Sequence, residues 1–85
     1  MVEDLEYVFR NIAQDPVSDE LKLTFSRFVQ NAQFYGVDGH EKTLEEFESF
    51  GKIVLMRERP VKPYFHRRFA QAALALSEAL QSDAA

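Results

Sequence analysis

Apolar residues recur along this chain with a helical period in four separate segments. In the first, Leu5, Val8, Phe9 and Ile12 fall at i, i+3, i+4 and i+7. They predict a helix over about 2–13. Glu3, Asp4 and Glu6 stand in its first turn, where the helix dipole favours carboxylates. Asp15-Pro16 ends it, because the residue before a proline is pushed out of the α region. The second segment, about 19–35, carries Leu21, Phe25, Phe28, Val29 and Ala32 on one face. Ser18 suits its N-cap and Gly36 the left-handed residue that often closes a helix.

The third segment is predicted over 44–58. Thr43 and Glu46 match a capping box, and Leu44, Phe47, Phe50 and Val54 follow at helical spacing. Gly51 is a potential stop, and Lys52 to Arg57 has the composition of a short strand. No other segment offers a strand to pair with it, so the reading is a continuing helix. Pro60 and Pro63 make a stiff break, with Pro63 suited to the first position of a fourth helix. That helix is predicted over 63–81, with Phe65, Phe69, Ala72, Ala73, Leu76 and Leu80 as its stripe and residues 82–85 frayed. The pattern therefore predicts an all-α fold: one helical domain over 1–85, a compact bundle or orthogonal array of four helices.

Composition narrows the function classes. The chain has 85 residues, 46% apolar and 13% aromatic, which excludes a chain that stays solvated and disordered. A domain this small buries only about 60–65% of its unfolded surface, so a partner or self-association would add stability. There is no cysteine, which removes thiol catalysis, cysteine-ligated metal and disulfides. No uncharged stretch approaches the roughly 20 residues of a membrane span. The acidic Met1-Val2-Glu3-Asp4 start does not resemble a secretory signal, so a cytoplasmic location is expected.

Catalytic patterns are missing. There is no Gly-x-Ser-x-Gly, no phosphate-binding glycine loop and no Glu-x-x-His pair for a helical di-metal site. Asp38, His40 and Glu41 offer too few ligands for a metal ion and read as a solvated turn. Glu45, Glu46 and Glu48 open a helix, where the dipole accounts for them. No catalytic residue, cofactor or metal is expected.

Charge distribution is more informative than the net −4. Residues 1–20 hold six carboxylates against Arg10 alone. Residues 52–68 hold Lys52, Arg57, Arg59, Lys62, Arg67 and Arg68 against Glu58. The basic segment has three readings: internal neutralisation by the acidic first helix, docking of an acidic protein partner, or contact with nucleic acid. Arg favours protein docking, because its planar fork pairs bidentately with carboxylates. Tyr64 and Phe65 beside Arg67 and Arg68 suit base stacking, but an acidic balance is unusual for a nucleic-acid module. A helix–turn–helix over Leu21–Leu55 would open its second helix with carboxylates where phosphate should lie. Tyr7, Phe34, Tyr35, Tyr64, Leu23 and Met56 lie off the stripes or at helix ends and suggest further contact surface. The reading is a protein-binding adaptor or regulatory subunit acting through Arg57, Arg59, Lys62, Tyr64, Arg67 and Arg68. Its partner is another protein or a second copy of this chain. A nucleic-acid-binding regulator using the same residues is the alternative.

Overall fold

A computed structural model of the chain describes residues 2–56 and 59–84, with side chains as far as Gln81. It contains four helices: α1 (Val2–Asn11), α2 (Asp19–Tyr35), α3 (Glu41–Leu55) and α4 (Pro63–Ala84). α1 packs on α2, α2 on α3 and α3 on α4, and α4 closes back on α1. The all-α reading therefore holds. The α3–α4 contact is the most extensive and the α2–α3 contact the least. The radius of gyration is 12.1 Å, against about 12 Å expected for a folded chain of this length.

The core follows the sequence stripes. Leu5 and Val8 of α1, Leu21, Phe25, Phe28 and Ala32 of α2, Leu44, Phe47, Val54 and Leu55 of α3, and Phe69, Ala72, Ala73 and Leu76 of α4 are buried. At its centre the Phe25, Phe47 and Phe69 rings, one from each of three helices, meet pairwise with centroids 5.1–5.8 Å apart. Phe28 meets Phe47 edge-on at 5.4 Å. These are the tilted and T-shaped arrangements that aromatic quadrupoles favour.

Gly51 makes this cluster possible. It lies buried inside α3 and does not end the helix. A Cβ at this position would overlap the edge of the Phe25 ring and come within 3.1 Å of Phe69. The helix therefore runs through 51 and on to Leu55, and the strand alternative for 52–57 is excluded over its described part. Met56 caps α3 by donating its N–H to the Lys52 carbonyl. The end forecast at 58 gives way to Leu55, and residues 57 and 58 lie outside the described residues.

Three further boundaries differ from the forecast. α1 stops at Asn11 rather than 13. The Asn11 amide donates to the Tyr7 carbonyl at 2.8 Å, and the Gln14 N–H bonds back to the Asn11 carbonyl, so the chain turns before Asp15-Pro16. α3 begins at Glu41, so Thr43 lies inside the first turn and is not its N-cap. His40 holds that position without a side-chain hydrogen bond, and its carbonyl accepts from the Leu44 N–H. The shift follows from Val37, which is buried at 3% exposure. Its carbonyl accepts from His40, drawing the connection tight and starting the helix three residues early. α4 continues past Gln81 to Ala84.

The α2 caps follow the sequence more closely. The Ser18 hydroxyl accepts from the Leu21 N–H at 3.1 Å. Gly36 has φ 82° and ψ 152° and donates its N–H to the Ala32 carbonyl. This is an extended, positive-φ conformation reserved to glycine rather than the left-handed helical one. Phe9 departs from the forecast in a different way: it sits on the α1 stripe, yet it is 42% exposed.

Two measurements test this packing. Gly51→Ala gains helix propensity but forces Phe25 aside, and a net loss of about 1–3 kcal/mol is expected. In thermal denaturation each kcal/mol lowers the Tm of a domain this size by roughly 4–8 °C; a raised Tm would show that the ring can move away. The caps should separate in the same assay. Ser18→Ala costs about 1 kcal/mol, whereas Thr43→Ala changes stability by less than about 0.5 kcal/mol.

Candidate partner-binding surface

The basic surface is built where the chain turns from α3 into α4. Pro60 interrupts helix, and Val61 packs half-buried against the core, tying the connection down. Pro63 is the first helical residue, where the missing N–H costs nothing. The Phe65 N–H donates to the Lys62 carbonyl at 3.0 Å. Phe69 is fully buried, which sets the rotation of α4. Helical periodicity then turns Tyr64 and Arg67, three residues apart, to the outside.

Arg59, Lys62, Tyr64 and Arg67 are exposed, and Tyr64 keeps 48% of its surface. Its ring meets Phe65 edge-on at 5.4 Å. Arg68 behaves differently. It is half-buried, with its guanidinium carbon 5.4 Å from the centre of the Phe50 ring. A cation over an aromatic face is attracted by the ring quadrupole, so Arg68 is held against α3 while Arg67 points outward. Arg57 lies outside the described residues. The first turn of α4 carries no carboxylate, unlike those of α1, α2 and α3. The positive end of its dipole therefore adds to the cations.

Internal neutralisation by the acidic helix is not what the ion pairs show. Among the described residues, none joins 2–20 to 59–68. Asp4 accepts from both Nε and Nη2 of Arg27 on α2, at 3.1 and 2.9 Å. Glu6 has Arg10 at 4.0 Å, and Glu48 has Lys52 at 2.9 Å. The groove between α1 and α4 is lined on α4 by Leu74 and Ser77, about 9 Å or more along the axis beyond Arg68 at 1.5 Å per residue. Arg59, Lys62 and Arg67 take part in no ion pair among the described residues.

The remaining candidates separate clearly. Asp38, His40 and Glu41 form a turn in which the Gly39 N–H donates to a Glu41 carboxylate oxygen at 3.4 Å. No group of three metal-ligating side chains is gathered among the described residues. Phe34 and Tyr35, at 83% and 75% exposure, stack on each other at the end of α2. Leu23 and Met56 are exposed too, while Tyr7 is half-buried against the core. Burial, and after it the Glu20 carboxylate, pushes the Tyr7 phenol above its ordinary range. Periodicity missed the exposure of Phe9 and overlooked Leu74, which is 50% exposed. Leu74 lies off the α4 stripe, and that was the available signal. No described helix is long and apolar enough to cross a membrane.

The fold is thus a closed ring of four helices with a basic, aromatic-flanked turn at one junction. No protein-family model matches the chain, and no curated protein or solved structure is significantly similar to it.

The Asp4–Arg27 pair has a pH signature. Hydrogen bonding from Arg27 holds the Asp4 carboxyl below its ordinary value. A depressed folded-state value contributes stability above the unfolded value that is lost as pH falls through the folded one. Asp4→Asn should therefore lower the Tm at neutral pH, with the difference from the parent shrinking to nothing on acidification through the carboxylate range. An equal Tm difference at neutral and acid pH would show that the pair contributes nothing through charge.

Proposed function

We propose that this chain is a protein-binding module, an adaptor or regulatory subunit. Its working surface is the region around the Pro60–Pro63 turn: Arg59, Lys62, Tyr64, Arg67 and Arg68, with Arg57 adjoining them in sequence. One observation carries the reading: Arg59, Lys62 and Arg67 are exposed cations without an ion pair among the described residues, while Asp4, Glu6 and Glu48 are paired elsewhere. The planar forks of Arg59 and Arg67 suit carboxylates on a partner. The half-exposed Tyr64 ring is the type of amphipathic anchor that interfaces enrich. Arg68, held over Phe50, supports the surface from behind.

Tyr64 beside Arg67 also fits a base stacked on a ring next to a phosphate-binding cation, which favours nucleic acid as the second reading. The net −4 weighs against it.

Reversing charge at Arg59 and Arg67 together should abolish capture of the partner from native cell extract and leave the helical circular-dichroism signal intact. Unchanged capture would overturn the assignment of this surface. RNA and single-stranded DNA supply the second arm. If either binds with log affinity falling linearly against log salt, by about 0.7–0.9 per phosphate contacted, the nucleic-acid reading takes its place.

A further inference from the structure

Phe9 occupies a core position in the sequence pattern but a surface position in the fold. It follows Leu5 by one helical turn and adjoins Val8, both buried, yet it remains 42% exposed. Facing it from α4 is Leu74, 50% exposed. Between them runs a shallow groove, floored by Leu5 and bounded by Ser77, with Glu6 and Arg10 along its rim. Two large apolar side chains lining one groove form a small unfinished core.

The rim identifies what completes it. Glu6 and Arg10 are opposite charges four residues apart on α1, with Phe9 between them in sequence. A two-fold axis crossing α1 between these positions sets it antiparallel to α1 of a second copy. Glu6 then faces Arg10 of the partner copy, and Arg10 faces Glu6 of the partner copy, so one pattern satisfies both contacts. A ligand of a single charge sign matches only half of this rim. The link between Arg10 and Glu6 within one chain is loose, at 4.0 Å, and the Arg10 side chain is 78% exposed. Its guanidinium can therefore turn across the axis without breaking a close pair. A chain of 85 residues, which buries a small share of its surface alone, gains core by such pairing.

We infer that this protein forms a two-fold homodimer through the α1–α4 groove, with the exposed Phe9 and Leu74 of each copy seated against those of the other and Glu6 paired with Arg10 across the axis. The basic turn takes no part, so this inference stands independently of the proposed function.

Sedimentation equilibrium of the full chain over a range of concentrations tests it. The mass should rise to twice that of the chain, and the Tm should rise with concentration, as it does for any fold stabilised by association. Phe9→Glu and, separately, Leu74→Glu should each return it to a single chain with an unchanged circular-dichroism spectrum; both positions are exposed, so neither change enters the core. Glu6→Arg or Arg10→Glu alone places like charges in contact twice and should also give single chains. The doubly swapped chain, Glu6→Arg with Arg10→Glu, should recover the dimer. A single-chain mass at every concentration overturns the inference. So does a dimer that survives both Phe9→Glu and Leu74→Glu, and so does failure of the double swap to restore pairing.

Discussion

Three phenylalanines and one glycine set the geometry of this domain. The Phe25, Phe47 and Phe69 rings meet at one level because α2 and α4 both pack closely on α3. The missing side chain at Gly51 permits that approach. A mid-helix glycine costs about 1 kcal/mol relative to alanine, and here that cost is offset by the contact of aromatic edges it allows. Once the cluster has formed, the rotation of α4 about its axis follows, and with it which residues of its first two turns face water. The outward direction of Tyr64 and Arg67 is thus a consequence of ring packing one turn further along.

The amphipathic stripes were legible because each helix buries one face, and helical spacing reports such a face directly. Leu21, Phe25, Phe28 and Ala32 illustrate this, and Ser18 capped its helix as its chemistry suggested. What was not legible depends on contacts distant in sequence. Thr43 and Glu46 have the local chemistry of a capping box, but burial of Val37 draws the chain in and starts α3 earlier. Phe9 has the right spacing for a core residue, but α1 lies between two neighbours, and the seam against α4 leaves the ring at the edge. The reading of a helix that runs on through Gly51 holds, but the reason for a glycine there, the Phe25 ring that passes over it from α2, lies outside the local pattern.

The basic cluster was legible as composition, though its internal division was not. Six cations close in sequence read as one patch. In three dimensions Lys52 is paired with Glu48 and Arg68 is drawn over Phe50, while Arg59, Lys62 and Arg67 stay exposed. The distinction between the adjacent Arg67 and Arg68 arises from the angular step of the helix, which sends one side chain to water and its neighbour onto α3. The acidic helix likewise finds its counter-charge in Arg27 on α2, a residue outside the basic segment.

α4 spans 22 residues without a break, about 33 Å at 1.5 Å per residue. It carries the basic turn at its start and one wall of the Phe9 groove in its second half, so a single rigid rod fixes the spacing between the two surfaces. In a two-fold pair, the two basic turns would sit at a set separation with no linker to slacken it. A target bearing two acidic segments at that separation would be held by avidity, because its second contact becomes intramolecular. A target with one segment would gain nothing. The length of one helix would then act as a ruler that selects partners by spacing as well as by charge.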